Sequence, residues 1–145
     1  MYDGLLLPVA PDGETNAAIP HATSLAERYD ATIHVVSAVD TLERTKGGTR
    51  IGSLGKRVET AARKRVESVT AELEDAGIEV VGSVVRDEPL DAIENAIAAA
   101  DVDLVIMPTR ARTGLQRVLL GSITEKVVRV APVPVVTVPM DGRED

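Results

Sequence analysis

Gly121 and Ser122 stand immediately ahead of a run, Ile123 to Val130, whose apolar residues Ile123, Val127 and Val130 recur at helical spacing. Ser122 and Glu125 have the S-x-x-E spacing of a capping box, in which a hydroxyl and a carboxylate satisfy the free N–H groups of a helix start. Those N–H groups, backed by the positive end of the helix dipole, can equally hold a phosphate. The pair therefore reads as a plain cap or as an anion site. Upstream, Asp103 to Met107 is a short run rich in branched apolar residues, as expected of a strand covered on both faces, and a loop from Pro108 to Leu120 joins it to the helix.

Other chemistry finds little footing. The chain has no cysteine, which excludes disulfides, thiol catalysis and cysteine metal sites. His21 and His34 lack a second histidine or a carboxylate at a fixed nearby spacing and read as helix and strand residues, so no metal site is expected. No G-x-S-x-G elbow, H-E-x-x-H helix or Walker-type loop is present, and no catalytic residue is assigned. The acidic pairs Asp101 with Asp103 and Asp87 with Glu88 flank strand ends and read as solvated turn residues.

At 145 residues and 44% hydrophobic composition, the chain has the size and apolar content of one folded domain spanning residues 1–145. No apolar run reaches membrane-spanning length and the start lacks a signal-peptide pattern, so a cytoplasmic location is the expectation. A net charge of -7 repels nucleic-acid phosphates and argues against DNA or RNA as a partner. The acidic, lysine-poor balance would suit a salt-rich cytoplasm.

Strand-like and helix-like segments alternate along the chain. Gly4 to Val9 reads as a strand ended by Pro8, Pro11 and the Asp12-Gly13 turn signal. A helix follows, beginning close to Pro20 and ending near Tyr29, with Ala18, Ala22, Leu25 and Ala26 on one face. Ala31 to Ala38 is the second strand. Asp40 to Leu54, with Gly47, Gly48 and Gly52 among charged residues, is the longest flexible connection and the best place for a mobile lid. From about Arg57 to Ala76, Val58, Ala62, Val66, Val69 and Leu73 mark one buried helical face, capped by Gly77, with Arg63, Lys64, Arg65 and Glu67 on the solvated side. Ile78 to Val85 is a third strand. Pro89 opens a helix that turns Leu90, Ile93 and Ile97 inward, and Val135 to Val138 is a last short strand.

Five strands alternating with four helices predict an α/β fold, an open parallel sheet of order 3-2-1-4-5 with helices on both faces, Rossmann-like in kind. Ligands bind such sheets at the carboxyl ends of the strands where the order reverses. That rule brings Pro8 to Asp12 and Met107 to Ser122 to one crevice. A receiver domain has a similar sheet, but Asp12 and Asp87 give only a thin imitation of its acidic cluster.

Three blocks, LLLPVAPDGETNAAIPHATSLAERYDATIHVVSAVD, VVRDEPLDAIENAIAAADVDLVIMPTRAR and LLGSITEKVVRVAPVPVVTV, together resemble a universal stress protein over essentially the whole chain. The resemblance implies the same five-stranded sheet, of the adenine nucleotide alpha hydrolase-like kind. It also implies homodimers paired through the last strand, here Val133, Val135, Val136 and Val138. Many members bind ATP through a glycine-x2-glycine-x9-glycine-serine or threonine loop. The last pair of that loop is present as Gly121 and Ser122, followed by Ile123 and Thr124, whereas Pro108 and Ala111 occupy the two earlier glycine positions. The aspartate that often follows the first strand falls on Ala10, with Asp12 two residues later.

By the same resemblance, an adenine nucleotide such as ATP or AMP would set its adenosine near Val9, Ala38 and Met107. Its phosphates would lie near Ala111, Gly121, Ser122 and Thr124. Arg110, Arg112 and Arg117 are candidate phosphate contacts, or a solvated loop. Magnesium would accompany a bound triphosphate only. The leading expectation is a cytosolic stress-response protein, a dimeric regulator or binding module with the nucleotide as a switch ligand. The alternatives are a dimer that binds no nucleotide and acts through protein partners, which Pro108 and Ala111 favour, and a slow adenine-nucleotide hydrolase. The apolar edge formed by the last strand argues for pairing on physical grounds too, since an uncovered edge is a template for another chain.

Overall fold

Gly4–Pro8 (β1) buries both its faces: Leu5, Leu6 and Leu7 expose nothing to solvent, as a continuous apolar run requires when helices lie above and below it. The computed structural model describes residues 1–10, 17–39, 42–45, 48–51, 53–112, 117–119 and 122–139, with backbone alone at 42–45, 48–51, 53–54, 109–112, 117–119 and 122. After β1 come Ala18–Tyr29 (α1), Thr32–Ala38 (β2), Leu42–Thr45 (β3), Gly48–Ile51 (β4), Ser53–Asp75 (α2), Val80–Val85 (β5) and Pro89–Ala99 (α3). Leu104–Arg112 (β6), Arg117–Leu119 (β7), Ser122–Val130 (α4) and Val135–Pro139 (β8) complete the order.

The parallel strands run β5-β2-β1-β6-β8, which is the expected order once the hairpin strands are set aside. Alternation along each strand feeds two cores. Leu5, Leu7, Ile33, Val35, Leu104 and Ile106 pack on one face under α1 and α2, where Ala22, Ala26, Val66, Val69 and Leu73 meet them. Leu6, Val36, Val105 and Met107 pack on the other face under α3 and α4, against Ile93, Ile97 and Val127.

Local signals account for the helix boundaries. Pro20 occupies the third position of α1, inside the first turn, where no intrahelical N–H bond is lost. Pro89 opens α3. At the end of α2, Gly77 takes φ +84° and donates to the Glu74 carbonyl at 2.9 Å, while Ile78 donates to the Leu73 carbonyl at 3.0 Å, closing the helix with a left-handed cap.

Two connections differ from the sequence expectation. Leu42–Ile51, expected as a flexible stretch, contains an antiparallel ladder, with Leu42 opposite Ile51 and Thr45 opposite Gly48, and α2 begins at Ser53 rather than near Arg57. The expected loop after Met107 is in large part strand: β6 continues to Arg112 and pairs antiparallel with β7. Both ladders are polar and charged ribbons, and no buried apolar stripe marks them in the sequence.

Candidate functional site

The sheet order reverses between β1 and β6, whose carboxyl ends lie side by side. Leu5 pairs with Leu104 and Leu6 with Val105, so two residues further on Pro8 falls level with Met107. On the other side of β1, Pro8 pairs with Val36 and the Val9 amide donates to the Val36 carbonyl at 2.8 Å. Val9, just past β1, therefore stands at one edge with Ala38 of β2 and Met107 of β6.

They do not form one wall. The Val9 side chain packs in the core under α1 and α2, and that of Met107 in the core under α3 and α4. Ala38 lies two residues on from Val36 and so shares the Met107 side. A ligand at this edge would meet Val9 through backbone and Ala38 and Met107 through the α3/α4 layer. Ala10, which stands where the family often has aspartate, is exposed.

Helix α4 reaches the same layer. Ile123 and Val127 pack with Met107, and Thr124 in the first turn is 6% exposed. The N-terminus of α4, which begins at Ser122, is thus set on the Met107 side of the sheet. Glu125, the other half of the expected capping box, accepts a hydrogen bond from Arg129 at 3.3 Å, an i,i+4 ion pair along the helix. Gly121 and Asp12 lie outside the described residues, as does the Ser122 side chain.

Pro108 and Ala111, the two positions where the family's loop has glycine, are both in β6. Pro108 pairs with Val138 of β8 and Ala111 with Val118 of β7. An extended strand makes no demand for positive φ, which explains why non-glycine residues fit there. It also changes the chemistry, because Pro108 has no N–H and the backbone of Arg110 to Arg112 lies in an antiparallel ladder. Arg110, Arg112 and Arg117 all fall in this ribbon.

Sequence reasoning missed three features near this edge. The first is the β6–β7 ribbon itself, whose trace is the alternation Thr109-Arg110-Ala111-Arg112 and Arg117-Val118 on either side of Gly114. The second is Glu59 of α2, which accepts from Arg86, just past β5, through both carboxylate oxygens at 3.2 Å and from Arg63 at 2.9 Å. Its partners lie 27 and 4 residues away, and only the shorter spacing is visible in the sequence. The third is Ser37, fully buried near the end of β2, whose hydroxyl finds no partner among the described residues.

Of the four valines expected in the last strand, Val135, Val136 and Val138 lie in β8 and Val133 just before it, and all four pack on the cores. Val136 and Val138 join the first core, and Val133 and Val135 the second. Among the described residues β8 pairs with β6 alone, so what a second copy would find is the outer backbone edge of β8, with Val128 and Val130 of α4 half-exposed. His21 is exposed on α1 and His34 is half-buried in β2. No group of three His, Cys, Asp or Glu among the described residues could hold a metal ion, and no helix among them is long and apolar enough to cross a membrane.

Comparison with known proteins agrees with this architecture. The model of the universal stress protein family matches residues 1–139. A universal stress protein of Methanocaldococcus jannaschii is 27% identical over 99% of this chain and 86% of its own length. Another from Thermus aquaticus is 31% identical over 95% of this chain and 99% of its own. Among solved structures, a universal stress protein of Archaeoglobus fulgidus superposes with a TM-score of 0.76 at 19% identity, covering 95% of this chain and 99% of that one. Related structures of the same fold have been solved with dAMP, with cAMP and, from Arabidopsis thaliana, with AMP, at TM-scores of 0.68, 0.66 and 0.66. A family match across nearly the whole length, on a sheet of the expected order, leads to one conclusion: the chain belongs to the universal stress protein family.

Proposed function

We propose that this protein is a homodimeric regulator or binding module of the stress response in which an adenine nucleotide, held at the carboxyl edge of the sheet, acts as a switch ligand. The observation that carries the reading is the reversal of strand order between β1 and β6 with the start of α4 set on the same edge. Members of the fold solved with AMP, dAMP and cAMP support the class of ligand. Adenosine would lie against Val9, Ala10, Ala38 and Met107, and phosphate against Ala111, Gly121, Ser122, Ile123 and Thr124, with Asp12 nearby in sequence. Magnesium would enter with a triphosphate, bound mostly by phosphate and water oxygens. Calorimetric titration of purified protein with AMP and ATP should give saturable heat, and none at millimolar ligand would end the nucleotide reading.

The dimer would form by β8 of one copy pairing with β8 of the other, which extends the sheet and covers an edge that a monomer leaves open. Sedimentation at micromolar concentration is expected to show a dimer, and a monomer would contradict the pairing. A second reading keeps the dimer and replaces the nucleotide by a protein partner. The strand conformation of Pro108 and Ala111 favours it, because a ladder offers phosphate fewer free N–H groups than a glycine loop.

A further inference from the structure

Helix α2 carries its charges in the order its own dipole disfavours. A helix start is positive and a helix end negative, so acids are favoured in the first turn and bases in the last. α2 has no acid in its first turn and no base in its last; Lys56 stands near the start instead, and Glu74 and Asp75 at the end. Its inner face, with Ala62, Val66, Val69 and Leu73, is buried on the sheet. On the outer side Arg57, Thr60, Lys64, Glu67, Ala71 and Glu74 are all exposed, at spacings of three, four, three, four and three. That alternation draws residues into one stripe along which a second helix can lie. Among the described residues the charged side chains of the stripe make no ion pair, whereas Glu59 is held by Arg63 and Arg86. The Thr60 hydroxyl is satisfied inside the helix, donating to the Lys56 carbonyl at 3.0 Å.

We propose that this stripe docks on α2 of a second copy of the chain, the two helices lying antiparallel about a two-fold axis. The stripe is its own complement when reversed. With the axis level with the midpoint between Arg65 and Val66, Arg57 meets Glu74 of the partner subunit, Thr60 meets Ala71 of the partner subunit and Lys64 meets Glu67 of the partner subunit. Symmetry makes each contact occur twice, and the small Thr60 and Ala71 let the helices approach between the charged pairs. Antiparallel packing also sets the basic start of one helix beside the negative end of the other, which offsets the charge order that each chain alone disfavours. The contact is polar and exposed, so it is weak and salt dissolves it. α2 packs on β5 and β2, at the end of the sheet opposite β8, so this contact neither needs nor replaces the pairing proposed there.

Sedimentation of the full-length protein, well above micromolar concentration, is compared in dilute buffer and in molar potassium chloride. Wild type is expected to gain mass in dilute buffer relative to its high-salt form. A monomer in molar salt that associates in dilute buffer would uphold the inference while ending the β8 pairing. Arg57→Glu with Lys64→Glu makes the stripe acidic throughout, and Glu67→Lys with Glu74→Lys makes it basic throughout. Each double variant alone should weaken the low-salt association by at least about ten-fold, because like charges then face each other. An equimolar mixture of the two should restore it, since every contact in the mixed pair is again between opposite charges. Helicity by circular dichroism is expected to hold, as neither variant sets charge further against the dipole. Asp91→Lys with Glu94→Lys, both exposed on α3, is the control for net charge and should behave as wild type. Equal mass at the two salt concentrations, association that survives in either double variant, or a mixture that stays apart would overturn the inference and leave the β8 and nucleotide readings standing.

Discussion

A Cβ at position 4 would stand 2.8 Å from the Asp101 carbonyl oxygen, closer than real Cβ contacts come. Gly4 is held there because its carbonyl accepts from the Asp103 amide at 2.9 Å while the Asp103 carboxylate accepts from the Asp3 and Gly4 amides at 3.1 and 3.2 Å. Replacement by alanine must move backbone, so Gly4→Ala is expected to lower stability by about 1–3 kcal/mol in urea unfolding; an unchanged midpoint would contradict the close approach. Ser37 predicts the opposite sign. Its buried hydroxyl has no partner among the described residues to offset desolvation, so Ser37→Ala should leave stability unchanged or raise it by about 1 kcal/mol. A clear loss would mean that the hydroxyl is paired. Neither property is legible from residue type, because both depend on what the folded chain sets beside the residue. The same holds at Pro108 and Ala111: the missing glycines are plain in the sequence, but that strand geometry takes their place is a matter of the ladder that forms around them.

At the scale of elements, α2 shows which force dominates. Ala62, Val66, Val69 and Leu73 line its buried face at the spacing read from the sequence, and Leu73 is fully buried. Leu73→Ala should cost about 2–5 kcal/mol through lost burial and the cavity left behind. Glu59→Gln breaks the link to Arg86 and Arg63, but those arginine side chains are 54% and 60% exposed, so solvent screening should hold the loss below about 1 kcal/mol. Equal losses for the two variants, measured as urea midpoints, would mean that the Glu59 cluster anchors α2 more than its apolar face does. Helical periodicity made α2 legible and the apolar run to Met107 marked the first half of β6, whereas the β3–β4 ladder and the extension of β6 to Arg112 opposite β7 were not legible. The paired segments are three or four residues long and rich in polar and charged residues, which leaves little period-2 apolar signal to read.

For the whole molecule, alternating strands and helices with right-handed crossovers predict an open parallel sheet, and the order found is the expected 3-2-1-4-5. That Arg112 stands opposite Arg117 was not legible, because it depends on the register of the β6–β7 ladder. Net charge is a property of the same scale. At -7, self-repulsion opposes the compact state, and molar salt reduces the screening length to about 3 Å. The thermal midpoint should therefore rise between dilute buffer and molar potassium chloride, and a flat response would show that repulsion is not limiting.

The most direct test of the central claim, a ligand site at the carboxyl edge where β1 meets β6, is amide chemical-shift mapping during titration with ATP. The shifts are expected to cluster at Val9 and Ala10, Ala38 and Val39, Met107 to Arg112, and Ser122 to Thr124. Shifts gathered instead at the amino edge, around Gly4, Thr32 and Asp103, or none at millimolar ATP, would contradict it.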